Sequence, residues 1–414
     1  MPPALAEACQ TRRNPGIDTL RGLSIVLVIL HHVAIRIPLR KTALATFVPP
    51  RLLHALSYNG YEAVFIFFVI SGFLITNNAF ERSRSLDAIS LRGFYGRRAA
   101  RILPCLCALL VVLAALHLAG LKDFTIIKSS QSLPRALLSA IGLHLNWYEG
   151  RTGWLPGPWD VLWSLSIEEA FYLAFPLVCI GIARTPLFAP MLLVLALSLP
   201  LTRAALAGNE IWQEKAYLPG MAAIAAGVLC AIFVRKRPRP HPAVSTFLGA
   251  AGVLGIAAVL GAEDVLWRVL GNGTMLVLTS SAASLVAASH WRGPRRLWGT
   301  GWLQSFGRLS YECYLTHMFA VLAVVRLHNA LGAGLRHAYL WYVPALFLTW
   351  VIGTVVARYY SVPAEQAWRA RWSGTAGAAS ASHVDRCRPP LDFPNCRRRD
   401  ASAREQPQGL GRVL

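Results

Sequence analysis

The sequence predicts an all-α, polytopic membrane protein with about ten transmembrane helices and both termini in the cytoplasm. Three observations carry this prediction. Apolar residues make up 55% of the chain and charged residues only 15%, with a mean hydropathy of +0.45, far from the balance of a soluble domain. Apolar windows long enough to cross a bilayer recur along the chain. The basic residues collect in the short segments between those windows, on one side of the membrane if the helices alternate.

The windows run from Thr19 to Ile35, Gly60 to Phe80, Ile102 to Gly120, Leu162 to Ile182 and Leu187 to Leu206, then from Leu218 to Val234, Ala243 to Ala262, Val269 to Ser289, Leu309 to Leu327 and Tyr339 to Ala357. The polar first 17 residues, and the absence of a small-residue cleavage site after the first apolar run, predict that the first helix stays in the membrane. Arg12 and Arg13, the set from Arg82 to Arg101, the Arg235-Lys236-Arg237-Pro238-Arg239 run, and Arg292, Arg295 and Arg296 all fall on the side expected to be cytoplasmic. Arg36, Arg40, Lys41 and Arg51 lie on the other. The segment from Pro134 to Trp147 is apolar between Ala136 and Leu145 but too short to span, and it reads as an interfacial or re-entrant helix. The turn-rich, aromatic loop from Gly150 to Asp160 is placed as a cap on the outer surface.

This divides the chain into a cytoplasmic N-terminal segment (1–17), a membrane domain (18–357) and a basic cytoplasmic tail (358–414), whose Ala, Ser, Arg and Pro content predicts disorder from about Ser373. The net charge of +21 does not indicate nucleic acid, because the arginines cluster between apolar runs rather than along a soluble face. The eight cysteines have neither metal-type spacing nor a disulfide pattern. No phosphate-binding Gly-x-x-x-x-Gly-Lys loop is present, which argues against an ATP-driven pump.

Four stretches put polar groups where a bilayer resists them. In the first helix, Asp18, Arg21, His31 and His32 interrupt an apolar run. At about 100° per residue, Arg21 and His32 lie roughly 20° apart around the helix axis, with Asp18 about 40° to the side of His32. The rise between Arg21 and His32 is roughly 16 Å, about half a hydrocarbon core. A functional face competes here with a histidine that only bonds a neighbouring helix and an aspartate that only caps the first turn. The second stretch, Phe67 to Ile75, contains Ser71-Gly72, which suits close helix packing as well as chemistry.

The third stretch sets Arg97, Arg98 and Arg101 at one helix end. That geometry fits phosphate oxygens and equally fits topology alone. The fourth, Trp163 to Tyr172, puts Glu168 and Tyr172 on one face at i and i+4. Glu168 there can tune a histidine, bind an acceptor hydroxyl, or anchor the helix end. By depth, His32 and Glu168 both fall in the outer half of the membrane in the ten-helix topology, where they could meet.

In order and spacing these stretches resemble the acyltransferase-3 family of integral-membrane O-acyltransferases. The motifs are Asp18-x-x-Arg21-Gly22 with His32 eleven residues after the arginine, Phe67-Phe68-x-x-Ser71-Gly72-Phe73, Arg97-Arg98-x-x-Arg101-Ile102-x-Pro104, and Trp163-Ser164-Leu165-x-x-Glu168-x-x-Phe171-Tyr172. Gly307-x-x-Ser310-Tyr311-x-x-Tyr314-Leu315-x-His317 resembles the family's late-helix signature.

The resemblance implies transfer of an acyl group, usually acetyl, from cytoplasmic acyl-CoA to a hydroxyl of a cell-surface glycan, lipid-linked sugar or glycosylated small molecule. It also implies a multi-pass location in the bacterial inner (plasma) membrane, surrounded by lipid, with acyl-CoA as co-substrate, no tightly bound cofactor or metal, and no nucleic-acid partner. Arg21, Arg97, Arg98 and Arg101 would hold the donor. His32 would be the general base, with Glu168 or Asp18 orienting it. Two rivals are a proton-coupled transporter or flippase using His32, Arg21 and Glu168, and a scaffold whose basic tail binds anionic lipid.

Overall fold

The computed structural model describes residues 13–294 and 298–375. Arg12, Arg295, Arg296, most of the N-terminal segment and the tail from residue 376 lie outside the described residues, as do the expectations attached to them. The described residues are helical with no strand. The principal helices are α1 Pro15–Ala34, α2 Pro50–Ser57, α3 Gly60–Arg82, α4 Leu91–Leu118, α5 Leu133–Ile141, α6 Leu145–Thr152, α7 Gly157–Asp160, α8 Trp163–Ile182, α9 Phe188–Leu197 and α10 Leu199–Ala204. They continue with α11 Glu210–Lys215, α12 Tyr217–Lys236, α13 Pro242–Gly261, α14 Glu263–Leu270, α15 Thr274–Arg292, α16 Gly301–Arg308, α17 Ser310–Ala330, α18 Tyr342–Val356 and α19 Val362–Thr375.

Among the described residues, eight helical stretches are long and apolar enough to cross a membrane. Two of the ten sequence windows fall outside that set for chemical reasons. The window from Leu187 to Leu206 is broken into α9 and α10 next to Pro200, because proline cannot donate to the helical ladder. The other, α17, is long enough but carries Glu312, His317, Arg326 and His328, which lower its hydropathy. Packing fixes the direction in which their neighbours run. Arg21 meets Ser310 and His32 meets His317, in the same order along both helices, so α1 and α17 run parallel. Phe68 faces Gly220 and the Phe73 backbone faces Gly227, so α3 and α12 run parallel too. The second pair requires an odd number of crossings between its members. With α4 and α8 as two of them, α9 and α10 together supply the third. The helix α5, with 9 residues, rises only about 14 Å and cannot span.

Glycines set the closest approaches. A Cβ at Gly72 would overlap the Ile224 carbonyl oxygen, and one at Gly227 the Val69 carbonyl oxygen, so α3 and α12 pack backbone to backbone. The same reciprocal fit joins α1 to α16, where Gly22 faces the Leu303 carbonyl and Gly307 faces the Asp18 carbonyl. The start of α1 is fixed by Asn14, whose side chain accepts from Gly16 N and Ile17 N and whose Nδ2 donates to the Ser289 carbonyl at 2.7 Å. Asn14, not Asp18, is therefore the N-cap. At the other face of the bundle Lys215 is buried between Glu149, at 2.9 Å, and Asp160, and it lies 3.9 Å from the Trp154 ring centroid. Burial pushes the Glu149 carboxyl well above the usual carboxylate range, against the pull of the lysine. This cluster clamps the segment from Leu145 to Asp160 onto the end of α11.

Candidate active site

Residues from five helices line one cavity: Arg21 of α1, Ser71 of α3, Arg98 and Arg101 of α4, Glu168, Glu169 and Tyr172 of α8, and Ser310, Tyr311 and Tyr314 of α17. Each is held by its neighbours. Arg21 Nη2 donates to Ser310 Oγ at 2.6 Å, and Ser71 Oγ donates to Glu168 Oε1 at 2.9 Å. The Arg98 guanidinium lies 3.9 Å from the Tyr172 ring centroid, which fixes its plane. Arg101 sits 5.8 Å from the Tyr311 ring centroid, while Tyr311 Oη donates to the Ile102 carbonyl at 2.8 Å.

Three guanidiniums thus share a cavity with two carboxylates. Glu169 Oε1 is buried there and makes no hydrogen bond. An anion with several oxygens fits such a site, because a guanidinium offers paired donors in a fixed plane.

Among the residues expected from sequence, Arg21, Arg98, Arg101 and Glu168 come together in this cavity. Arg97 does not line it and lies with Nη1 over Gly93 of its own helix. Asp18 is buried at the α1–α16 crossing, outside the lining. His32 and Glu168 do not meet by hydrogen bond. Glu168 bonds Ser71, and the His32 ring lies on His317, with centroids 5.0 Å apart, and edge-on to His31 at 5.4 Å. Arg36 Nη1 donates to the His32 carbonyl at 2.8 Å, closing the end of α1.

The histidine pair connects to the cavity through one residue. Tyr314 lines the cavity, its Oη hydrogen-bonds Ser164 Oγ at 2.7 Å and the Val161 carbonyl at 2.7 Å, and its own carbonyl bonds His317 Nδ1 at 2.6 Å. Sequence reasoning gave Ser71, Ser310, Tyr311, Tyr314 and His317 no roles of their own. The last four stand at positions 0, 1, 4 and 7 of one helix, a face that the 3.6-residue period marks as continuous.

The fold and cavity define an all-helical, multi-pass membrane protein with an arginine-lined site between its helices. The chain belongs to the acyltransferase-3 family, whose profile, described as an acyltransferase domain, matches residues 14–359. It is 28% identical over 214 residues to a protein of Listeria monocytogenes named peptidoglycan O-acetyltransferase OatA, covering 50% of this chain and 29% of that one. It is 30% identical over 173 residues to O-acetyltransferase OatA of Staphylococcus aureus, covering 40% of this chain and 25% of the relative. The matches thus span between a quarter and a third of those relatives' length. No solved structure matches the chain.

Proposed function

We propose that this chain is a membrane O-acyltransferase that moves an acyl group, acetyl in the simplest case, from cytoplasmic acyl-CoA to a hydroxyl of a cell-surface glycan or lipid-linked sugar, in a bacterial plasma membrane. The observation that carries this reading is the convergence of Arg21, Arg98 and Arg101 on one cavity inside the helical bundle. The guanidiniums take the donor's phosphates and the thioester arm runs along α1 towards His32. A neutral imidazole at His32 accepts the proton of the acceptor hydroxyl as its oxygen attacks the thioester carbonyl. A C–O bond forms, the C–S bond breaks, and the leaving thiolate takes the proton. Glu168, held by Ser71, belongs to the donor end, where it balances the arginines. The family membership and the O-acetyltransferase names of two relatives support the same chemistry, and the peptidoglycan in the name of the Listeria relative makes a cell-wall glycan the first acceptor to test.

Purified protein in detergent should release CoA thiol from acetyl-CoA when glycan acceptor is added, and mass analysis should find one acetyl group per modified sugar. Release of no thiol, together with facilitated passage of a sugar or lipid across reconstituted vesicles, would establish the transporter reading instead. His32→Ala should abolish transfer while the protein stays folded.

A further inference from the structure

We propose that His317 is the positioning residue for His32, holding its imidazole in the reactive tautomer by accepting its ring N–H. This rests on the reading of His32 as general base. His317 is fully buried, and its Nδ1 lies 2.6 Å from the Tyr314 carbonyl. A carbonyl only accepts, so Nδ1 must carry the hydrogen, and in the neutral ring Nε2 is then left with its lone pair. That Nε2 is buried and has no hydrogen-bond partner within the protein. A buried acceptor without a donor is costly, and such sites are kept where a partner or a proton arrives.

The ring packed against it is His32, at 5.0 Å between centroids and tilted by 41°. The ionisable side chains that meet His32 are imidazole and guanidinium: the His317 and His31 rings pack against its ring, and Arg36 bonds its carbonyl. A base needs a second group to fix its tautomer, and here the available acceptor is an imidazole rather than an acid. When His32 takes the hydroxyl proton through one nitrogen, its other N–H turns onto the His317 Nε2 that has no partner in the resting protein. When the thiolate leaves, His32 returns the proton to sulfur and the pair is restored.

Local architecture supports this role. Ser310 and His317 sit on one face of α17 and meet Arg21 and His32 on one face of α1, so one helix braces both ends of the path. Tyr314, between them, is pinned to Ser164 and Val161, which fixes the carbonyl that sets the His317 tautomer.

The test uses the full chain in cell membranes with acetyl-CoA as donor and the cell's own glycan as acceptor. His317→Phe should lower kcat about a hundredfold, within the span of acid–base contributions, with KM for acetyl-CoA unchanged. His317→Gln, whose Oε1 offers a lone pair near the position of Nε2, should recover at least about tenfold of that loss. The acid limb of the pH–rate profile should move in His317→Phe, because the base has lost the acceptor that favours its protonated form. Wild-type kcat and pH profile in His317→Phe, beside an inactive His32→Ala, would overturn this role alone. Equal loss in Phe and Gln variants that both melt early would make His317 a packing residue and overturn it as well. Full transfer by His32→Ala would overturn the general-base reading itself, and this proposal with it.

Discussion

Replacing Arg98 by lysine keeps the charge and removes the planar fork, so it separates a phosphate-binding guanidinium from a merely topological one. The structure gives the terms. Arg98 lines the cavity and its plane is fixed by the Tyr172 ring at 3.9 Å. Lysine loses one charge-assisted hydrogen bond, worth about 1.5–3 kcal/mol, while most of the stacking attraction survives as an ammonium over the ring. At about 1.4 kcal/mol per factor of ten, KM for acetyl-CoA should rise roughly ten- to a hundredfold with kcat nearly unchanged. Arg97→Lys is the internal control, because Arg97 lies on the same helix but outside the cavity lining. The assay is thiol release at varied acetyl-CoA, repeated with a short phosphate-free acetyl thioester. Against that donor Arg98→Lys should behave as wild type. Equal penalties for Arg97→Lys and Arg98→Lys, or an Arg98→Lys penalty that persists with the phosphate-free donor, would refute the phosphate assignment.

Ser71→Ala should cost about tenfold or more in kcat/KM, since it removes a bond to a charged group worth about 1.5–3 kcal/mol. The loss should shrink in a Glu168→Gln background, and strict additivity in that double-mutant cycle would count against coupling between the two residues. Gly72→Ala should lower Tm through overpacking against the Ile224 carbonyl, at a cost of about 1–3 kcal/mol. Gly181→Ala, where a Cβ meets nothing within 4 Å, should not, and equal Tm values for the two would show that α3 and α12 need no close approach. Lys215→Met should destabilise by about 3–5 kcal/mol, because it strands the buried Glu149 and the half-buried Asp160 without their cation. Adding Glu149→Gln and Asp160→Asn should restore most of the lost Tm, and a Lys215→Met protein melting like wild type would show that the cluster carries no load.

The helix positions and the polar faces were legible in the sequence; the neighbours were not. The period of α1 put Arg21 and His32 on one face, and both do reach one partner helix, α17. Nothing in that period says which helix it is, since the partner lies some 290 residues away and is brought in by glycine crossings such as Gly22 on Leu303. Depth placed Glu168 with His32, yet depth fixes only height in the membrane and not direction around the helix. The packing of α3 between α8 and α12 turns Glu168 onto Ser71. Hydropathy also began the third span at Ile102, because polar turns drop out of an apolar window. The helix itself begins at Leu91, so Arg98 and Arg101 lie in its second and third turns, within the bundle.

That early start of α4 bears on what the site can accept. The arginines are inside the bundle, and His32 stands roughly 16 Å further along α1, reached past Tyr314 rather than through open space. A compact anion would satisfy the guanidiniums and leave His32 out of reach. A hydroxylated sugar would reach the histidines and leave three cationic groups facing only two carboxylates. A ligand that uses both ends must be long, anionic at one end and reactive at the other, and narrow enough to pass between α1 and α17. A phosphate-bearing thioester with an extended arm has that shape. On the proposed function, the two parallel helices would hold its ends in register, with Arg21 on Ser310 at the anionic end and His32 on His317 at the reactive one.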